Sequence, residues 1–342
     1  MVRLRTVSPN DRGWARRRAG KGFVYLDSNG DRLGPGDVER IRSLVIPPAW
    51  EDVWISPHPN GHVQAVGTDA AGRRQYLYHP VWRVKRDELK FDRVVAAARR
   101  LPAARIELIG HLSSPGMTLE RAAATAVRLL DLGYFRIGGD AYADNGAFGL
   151  TTLKRRHVLR RGGALVFCFV GKSGIEHTIE IDDAATIDSV EVMRRRRGGG
   201  DQLMAYRTTR RWADLNAAHV NEYLRDATGE DLTAKDFRTW HATVLAAAAL
   251  ADAAPAETEG ARKRVVRAAM VEVSEFLGNT PTIARSSYVD PRVIDLWHDG
   301  ITIERATKRR YADADARQAG LEQAVRRMLS RAPGARPRNH PR

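Results

Sequence analysis

The sequence predicts an α+β protein: a small β-rich N-terminal domain over residues 1–85, then a larger, mostly α-helical domain over 86–330 with an inserted β-hairpin or small sheet. Three observations predict it. Through the first eighty residues, short β-branched and aromatic runs alternate with Gly, Asn and Asp turns. After Trp82, apolar residues recur at helical spacing in long segments. Between two of those segments lie the runs GALVFCFVG at 163–171 and HTIEI at 177–181, whose composition is that of strands.

In chain order, GFVYL at 22–26 reads as a strand closed by the turn DSNGD at 27–31. Residues 35–44 form a short helix stopped by Pro47 and Pro48. DVWIS at 52–56 and HVQAV at 62–66 form a hairpin around the turn at 59–62. A third pairing joins 65–68 to 75–78 across AAGR at 70–73. Helices are expected over 84–101, 118–132, 212–227, 235–254, 258–277 and 303–329, with Thr118 as an N-cap and Gly133 closing the second. The segment RRRRGGG at 194–200 is a basic, glycine-rich loop, either a solvated linker or a specific contact. Residues 331–342 hold three prolines and four arginines without periodicity and read as a disordered tail.

Composition narrows the function classes. Lys+Arg number 56 against 41 Asp+Glu, a formal charge of +15. The isoelectric point near 10.4 points to a polyanion: nucleic acid first, an anionic membrane surface second. The N-terminus is rich in arginine and lacks the apolar run of a signal peptide. The longest apolar stretch, 242–254, is short for a bilayer and contains Asp252, so it reads as a buried helix. A cytoplasmic, nucleoid-associated protein is expected. One cysteine excludes an intrachain disulfide framework and a Cys-cluster metal site. Eight basic residues are lysine (Lys21, Lys85, Lys90, Lys154, Lys172, Lys235, Lys263 and Lys308) and 48 are arginine, which singles out each lysine.

Several motifs fail on inspection. GKS at 171–173 lacks the P-loop glycine, since Val166 stands five residues before Gly171, so no nucleotide site is expected. Asp27, Asn29 and Asp31 open like a calcium loop, but Arg32 and Val38 occupy its glycine and glutamate positions. His58 and His62 have no third ligand nearby, and no acidic cluster suits a pair of catalytic metals.

Five short motifs remain. Arg136 follows a helix; Lys172 stands at the tip of the inserted hairpin; Lys235 and Arg238 open a helix as Lys-x-x-Arg; Asn279 follows Gly278; and Tyr288 lies nine residues beyond it. In this order they resemble the active site of the type IB DNA topoisomerases, in particular the compact poxvirus-like and bacterial branch. The segment GRRQYLY at 72–78 and the runs VIPPAW at 45–50 and DVW at 52–54 resemble that family's N-terminal domain. The likeness spans roughly residues 20 to 310.

The resemblance implies transesterification on duplex DNA, preferably supercoiled, by a monomer with no metal, nucleotide or other cofactor. Tyr288 is implied as the nucleophile, leaving a 3′-phosphotyrosyl link and a free 5′-hydroxyl; the link conserves the bond energy for resealing. Arg136 and Arg238 suit the phosphoryl oxygens, because a planar guanidinium presents a fork that an ammonium lacks. The departing 5′-oxygen needs a proton. Arginine is a poor general acid, and in this lysine-poor chain Lys172 is the expected donor. Lys235 fits a phosphate contact or a secondary proton relay. Asn279 stands where many relatives have histidine; it can still donate to the phosphate, and losing the positive charge costs about 1 kcal/mol. Arg73, Arg74, Tyr76, Tyr78 and Tyr142 are the implied DNA contacts, with the two domains closing as a clamp. Tyr76 and Tyr78 share a strand face and could both be core; the flanking arginines favour contact.

Two rivals stand beside this reading. A tyrosine recombinase or integrase shares the chemistry in outline, but usually has His-x-x-Arg in the second box and a helical N-terminal domain. A non-catalytic architectural DNA-binding protein accounts for the charge but not for the ordered Arg, Lys, Arg, Tyr set.

Overall fold

A computed structural model describes residues 3–133, 135–139 and 143–331. The chain divides into two compact units, residues 1–91 and 92–342. Each is described separately.

The first unit holds a five-stranded antiparallel sheet, in the order β2-β1-β3-β4-β5. Its strands are β1 (Trp14–Ala19), β2 (Gly22–Leu26), β3 (Glu51–Ile55), β4 (Val63–Thr68) and β5 (Arg74–Tyr78). The expected β3–β4 and β4–β5 pairings form, and β2 pairs with β1 through the short loop at Gly20 and Lys21. Sequence reading passed over β1 because arginine dominates it. Arg16 in fact points inward: its guanidinium lies 4.2 Å from the Phe23 ring and donates to the carbonyls of Ile46, Pro47 and Trp50. Helix α1 (Pro35–Ser43) drops Ile41 onto Val53, Ile55 and Ala65, a small apolar core. Such a core is closed by amphipathic stems as much as by aliphatic side chains.

Helix α2 (Pro80–Ala97) carries the chain from the first unit into the second, so the division falls inside a helix and not in a linker. It begins earlier than the sequence suggested and stops at 97. A separate helix, α3 (Leu101–Leu112), follows with Pro102 in its first turn, where a missing N–H costs nothing. Helix α4 (Leu119–Gly133) is followed by the expected inserted sheet, the β7–β8 hairpin extended by a third strand: β6 (Val158–Arg161), β7 (Ala164–Val170) and β8 (Glu176–Ile181). Helix α5 (Ala184–Arg195), capped by Asp183, then covers ground that periodicity alone had not assigned.

The 194–200 segment corrects the linker reading. Arg196 is buried, and its guanidinium donates to the carbonyls of Met193, Gly200, Gln202 and Leu203. It folds the loop around itself. Two short strands follow, β9 (Ala205–Arg207) and β10 (Trp212–Asp214), so the helix expected from 212 starts only at α6 (Ala217–Thr228), capped by Asn216.

Helix α7 (Ala234–Asp252) is the centre of the second unit. Phe237, Trp240, Val244 and Leu250 are buried on it and so are alanines between them, the pattern of a helix surrounded by others. Around it lie α8 (Glu259–Leu277), α9 (Pro281–Ser287), α10 (Pro291–His298), α11 (Glu304–Thr307) and α12 (Ala314–Leu329). The last two correct the single helix expected over 303–329. The polar run KRRYAD at 308–313 interrupts the periodicity, and Asp313 caps a fresh start. The expected disordered tail lies outside the described residues except for Arg331. No described helix is long and apolar enough to cross a membrane.

Candidate active site

The site is built on the C-terminal end of α8. A helix leaves its last carbonyls without intrahelical donors, at the negative end of its dipole. Gly278 ends α8 with φ +59°, a left-handed turn that glycine adopts at little cost. Two arginines take up the exposed carbonyls. Arg238, one turn into α7, donates from Nη2 to Leu277 O at 2.7 Å; Arg136 donates from Nη2 to Gly278 O at 3.1 Å.

Each arginine is held by its own element. The capping box of Thr233 and Asp236 fixes the start of α7, and Arg238 is only 5% exposed. Arg136 lies just beyond α4, where its backbone is strapped to the turn at 149–152: Leu150 N–H donates to Arg136 O and Thr151 N–H to Ile137 O, both at 2.8 Å. Phe135, beside it, is locked between Phe167 and Phe169 of β7.

Asn279 follows the helix end. Its Oδ1 accepts a hydrogen bond from Arg136. Because a guanidinium only donates, the orientation of this amide is determined, and Nδ2 faces away from Arg136. That NH2 group is buried and has no hydrogen-bond partner. A buried donor left unsatisfied costs roughly 1–3 kcal/mol, a cost that an arriving acceptor would recover.

Tyr288 ends α9. Its N–H donates to Ala284 O at 3.0 Å, and its carbonyl accepts from Thr243 Oγ1 of α7 at 3.3 Å. The same hydroxyl accepts from Asp290 N–H at 3.1 Å, so one threonine on α7 holds the backbone that leaves the tyrosine. The ring lies 5.7 Å from the Arg238 guanidinium carbon. Burial alone would raise the phenol, but Arg238, Arg136 and Lys235, with a hydrogen bond from Arg136, hold it below its ordinary value. The Arg238 guanidinium is in turn pushed down to about 10, by burial and then by Arg136, with Tyr288 opposing. Two cations and a partly acidified phenol thus share one desolvated corner.

The structure therefore brings together Arg136, Arg238, Asn279 and Tyr288, with Lys235 exposed at the first turn of α7. Lys172 stands exposed in the short turn between β7 and β8. The base of that hairpin is tied to the Arg136 segment, since Phe148 N–H donates to Val170 O at 2.8 Å. Sequence reasoning missed His177 of β8, whose ring lies against Gly278 at the centre of the site. The strand's alternation of His177, Ile179 and Ile181 on one face was the available signal.

The other candidates lie in the first unit. Arg73 is engaged with Asp69, donating from Nε to Oδ2 at 2.9 Å, and this bond holds the Asp69 carboxyl well below the usual range. Arg74 is exposed. Tyr76 and Tyr78 stack with centroids 6.0 Å apart; Tyr76 is 43% exposed, so it is not a core residue, and Arg86 lies 5.4 Å from the Tyr78 ring. Tyr142 lies outside the described residues. His62 accepts from Val7 N–H and packs edge-on against Trp82, a structural role.

Comparison with known proteins gives the family. Residues 79–312, well over half of the chain, match the family model described as the eukaryotic DNA topoisomerase I catalytic core. The chain belongs to the type IB DNA topoisomerases. Residues 22–69 match the bacterial DNA topoisomerase IB N-terminal domain. The DNA topoisomerase 1B of Acanthamoeba polyphaga mimivirus is 28% identical over 297 residues, which cover 84% of this chain and 88% of that protein.

Proposed function

We propose that this protein relaxes supercoiled duplex DNA as a monomer, cutting one strand and resealing it through a 3′-phosphotyrosyl link at Tyr288 without metal or ATP. The observation that carries the reading is the convergence of Arg136, Arg238 and the unpartnered NH2 end of Asn279 beside the Tyr288 phenol.

The roles follow from chemistry. The depressed phenol gives up its proton more readily than a free tyrosine and so makes a better-prepared nucleophile. As Tyr288 Oη attacks phosphorus, charge builds on the non-bridging oxygens. The guanidiniums are held by carbonyl and amide oxygens that carry no full negative charge, so their field is available to stabilise the phosphorane. Asn279 Nδ2 supplies a further donor. Lys172 gives its proton to the departing 5′-oxygen, and resealing reverses each step. Arg74, Tyr76 and Tyr78 contact the duplex, and Lys235 contacts a phosphate.

Relaxation of a supercoiled plasmid in EDTA without nucleotide tests the reading. The wild type relaxes it and Tyr288→Phe does not. A wild type that binds DNA but leaves it supercoiled returns the protein to the architectural class. Lys172→Ala slows cleavage of an ordinary phosphodiester and recovers when the 5′-oxygen is replaced by sulfur, a leaving group that needs no proton. Equal slowing of both substrates removes the general-acid role.

A further inference from the structure

His177 has no part in the chemistry described above, yet it occupies the space between two of its components. On one side lies Gly171, the residue before Lys172: a Cβ there would fall 2.6 Å from His177 Nε2. On the other lies Gly278, the residue before Asn279, where a Cβ would fall 2.5 Å from His177 Cε1. Gly171 has φ −95°, a conformation open to any residue, so its lack of a side chain answers to the ring and not to the backbone. The ring also stacks on Phe169, its partner across the β7–β8 ladder, with centroids 5.1 Å apart and planes 24° from parallel. Gly171 N–H closes the turn by donating to Ile175 O at 2.7 Å, so the lysine tip and the ring base form one small rigid piece.

We infer that His177 is a positioning residue: its ring, wedged between Gly171 and Gly278, sets the place of Lys172 relative to Arg136, Asn279 and the phosphate they hold. The inference rests on Lys172 as proton donor. General-acid catalysis depends on placement, and a displacement of about 1 Å costs on the order of 100-fold. The wedge sets that placement by packing, since the ring fills the gap without a hydrogen bond to either glycine. Burial, Arg136 and Arg238 all favour the neutral imidazole, as a packed spacer beside two guanidiniums requires.

The test is single-turnover cleavage on matched DNA substrates with a 5′-oxygen or a 5′-sulfur leaving group. In His177→Ala the oxygen substrate is expected to slow by about 100-fold, the scale of an ångström's misplacement, while the sulfur substrate slows by less than about threefold. His177→Phe, which keeps a ring on Phe169, recovers most of the loss. Gly171→Ala, which pushes against the ring, reproduces the oxygen-selective defect and does not depend on emptying the space. Equal slowing of both substrates in His177→Ala, or a His177→Phe protein as slow as His177→Ala, overturns the proposal. Lys172→Ala run alongside separates the two levels: if it shows no sulfur rescue, the general-acid reading has failed and the positioning role falls with it. If Lys172→Ala is rescued and His177→Ala and Gly171→Ala are not oxygen-selective, the wedge alone is wrong.

Discussion

Asn279 shows what a single side chain must do here. Its Oδ1 holds Arg136 and its NH2 waits for an acceptor, so the two ends have separate jobs. Asn279→Ala removes both and is expected to slow cleavage by roughly tenfold, the worth of one hydrogen bond to a charged group. Asn279→Asp keeps the acceptor, deletes the donor and adds a negative charge facing the phosphate; it should be slower than the alanine variant. If aspartate is the faster of the two, the donor role is wrong. Tyr288 gives a second prediction at this scale. Because the arginines hold the phenol below its ordinary value, the phenolate fraction at a given pH exceeds that of a free tyrosine. The pH–rate profile for cleavage should rise and bend below about pH 10, and Arg238→Gln should move the bend upward. A bend that stays put removes Arg238 from the activation of the nucleophile.

At the scale of elements, the end of α8 organises the site and a buried ion network organises the helices behind it. Arg105 of α3 pairs with Asp131 of α4 and Glu322 of α12, each at 2.8 Å, and His241 of α7 meets Asp131 at 3.0 Å. Burial would raise the Asp131 carboxyl, but His241 and Arg105 hold it well below the carboxylate range. A depressed carboxyl contributes stability above its unfolded value, about pH 4, and the contribution is lost as acid protonates the folded form. Arg105→Ala removes the guanidinium that two buried carboxylates share, leaving Asp131 to His241 and Glu322 to Gln318, and should cost about 3–5 kcal/mol, read as a lower midpoint in urea at pH 7. A loss below about 1 kcal/mol would mean that solvent already reaches the network. These elements also mark what was legible. Arg136, Arg238, Asn279 and Tyr288, which the fold brings together, could be picked out because order along the chain and residue type carried them. The long amphipathic helices could be placed because their periodicity repeats several times. His177, Arg196 and Arg105 could not, because each is defined by a partner far away in sequence. The short helices α9 and α10 escaped because two turns are too few for a period to show. Arg16 and Arg196 escaped because an arginine is read as surface until its carbonyl partners are seen.

At the scale of the whole molecule, the charge of +15 becomes a statement about salt. Each phosphate neutralised releases counterions, so affinity for duplex should fall steeply with ionic strength. Arg74 and Arg73 separate field from contact. Arg74→Ala should lower the slope of log K against log salt by about one. Arg73→Ala should change it less, because Asp69 already engages that guanidinium. Equal slope changes would show that DNA displaces Asp69 from Arg73.

The central claim, that Tyr288 becomes covalently joined to a 3′ phosphate using only the protein's own side chains, has a direct measurement. An end-labelled duplex is incubated with enzyme in EDTA without nucleotide, the reaction is stopped with denaturant, and the attached strand end is identified. The account predicts that the wild type is trapped on the 3′ end of the cleaved strand and that Tyr288→Phe gives no adduct. An adduct that persists in Tyr288→Phe, or one attached to the 5′ end, would contradict it.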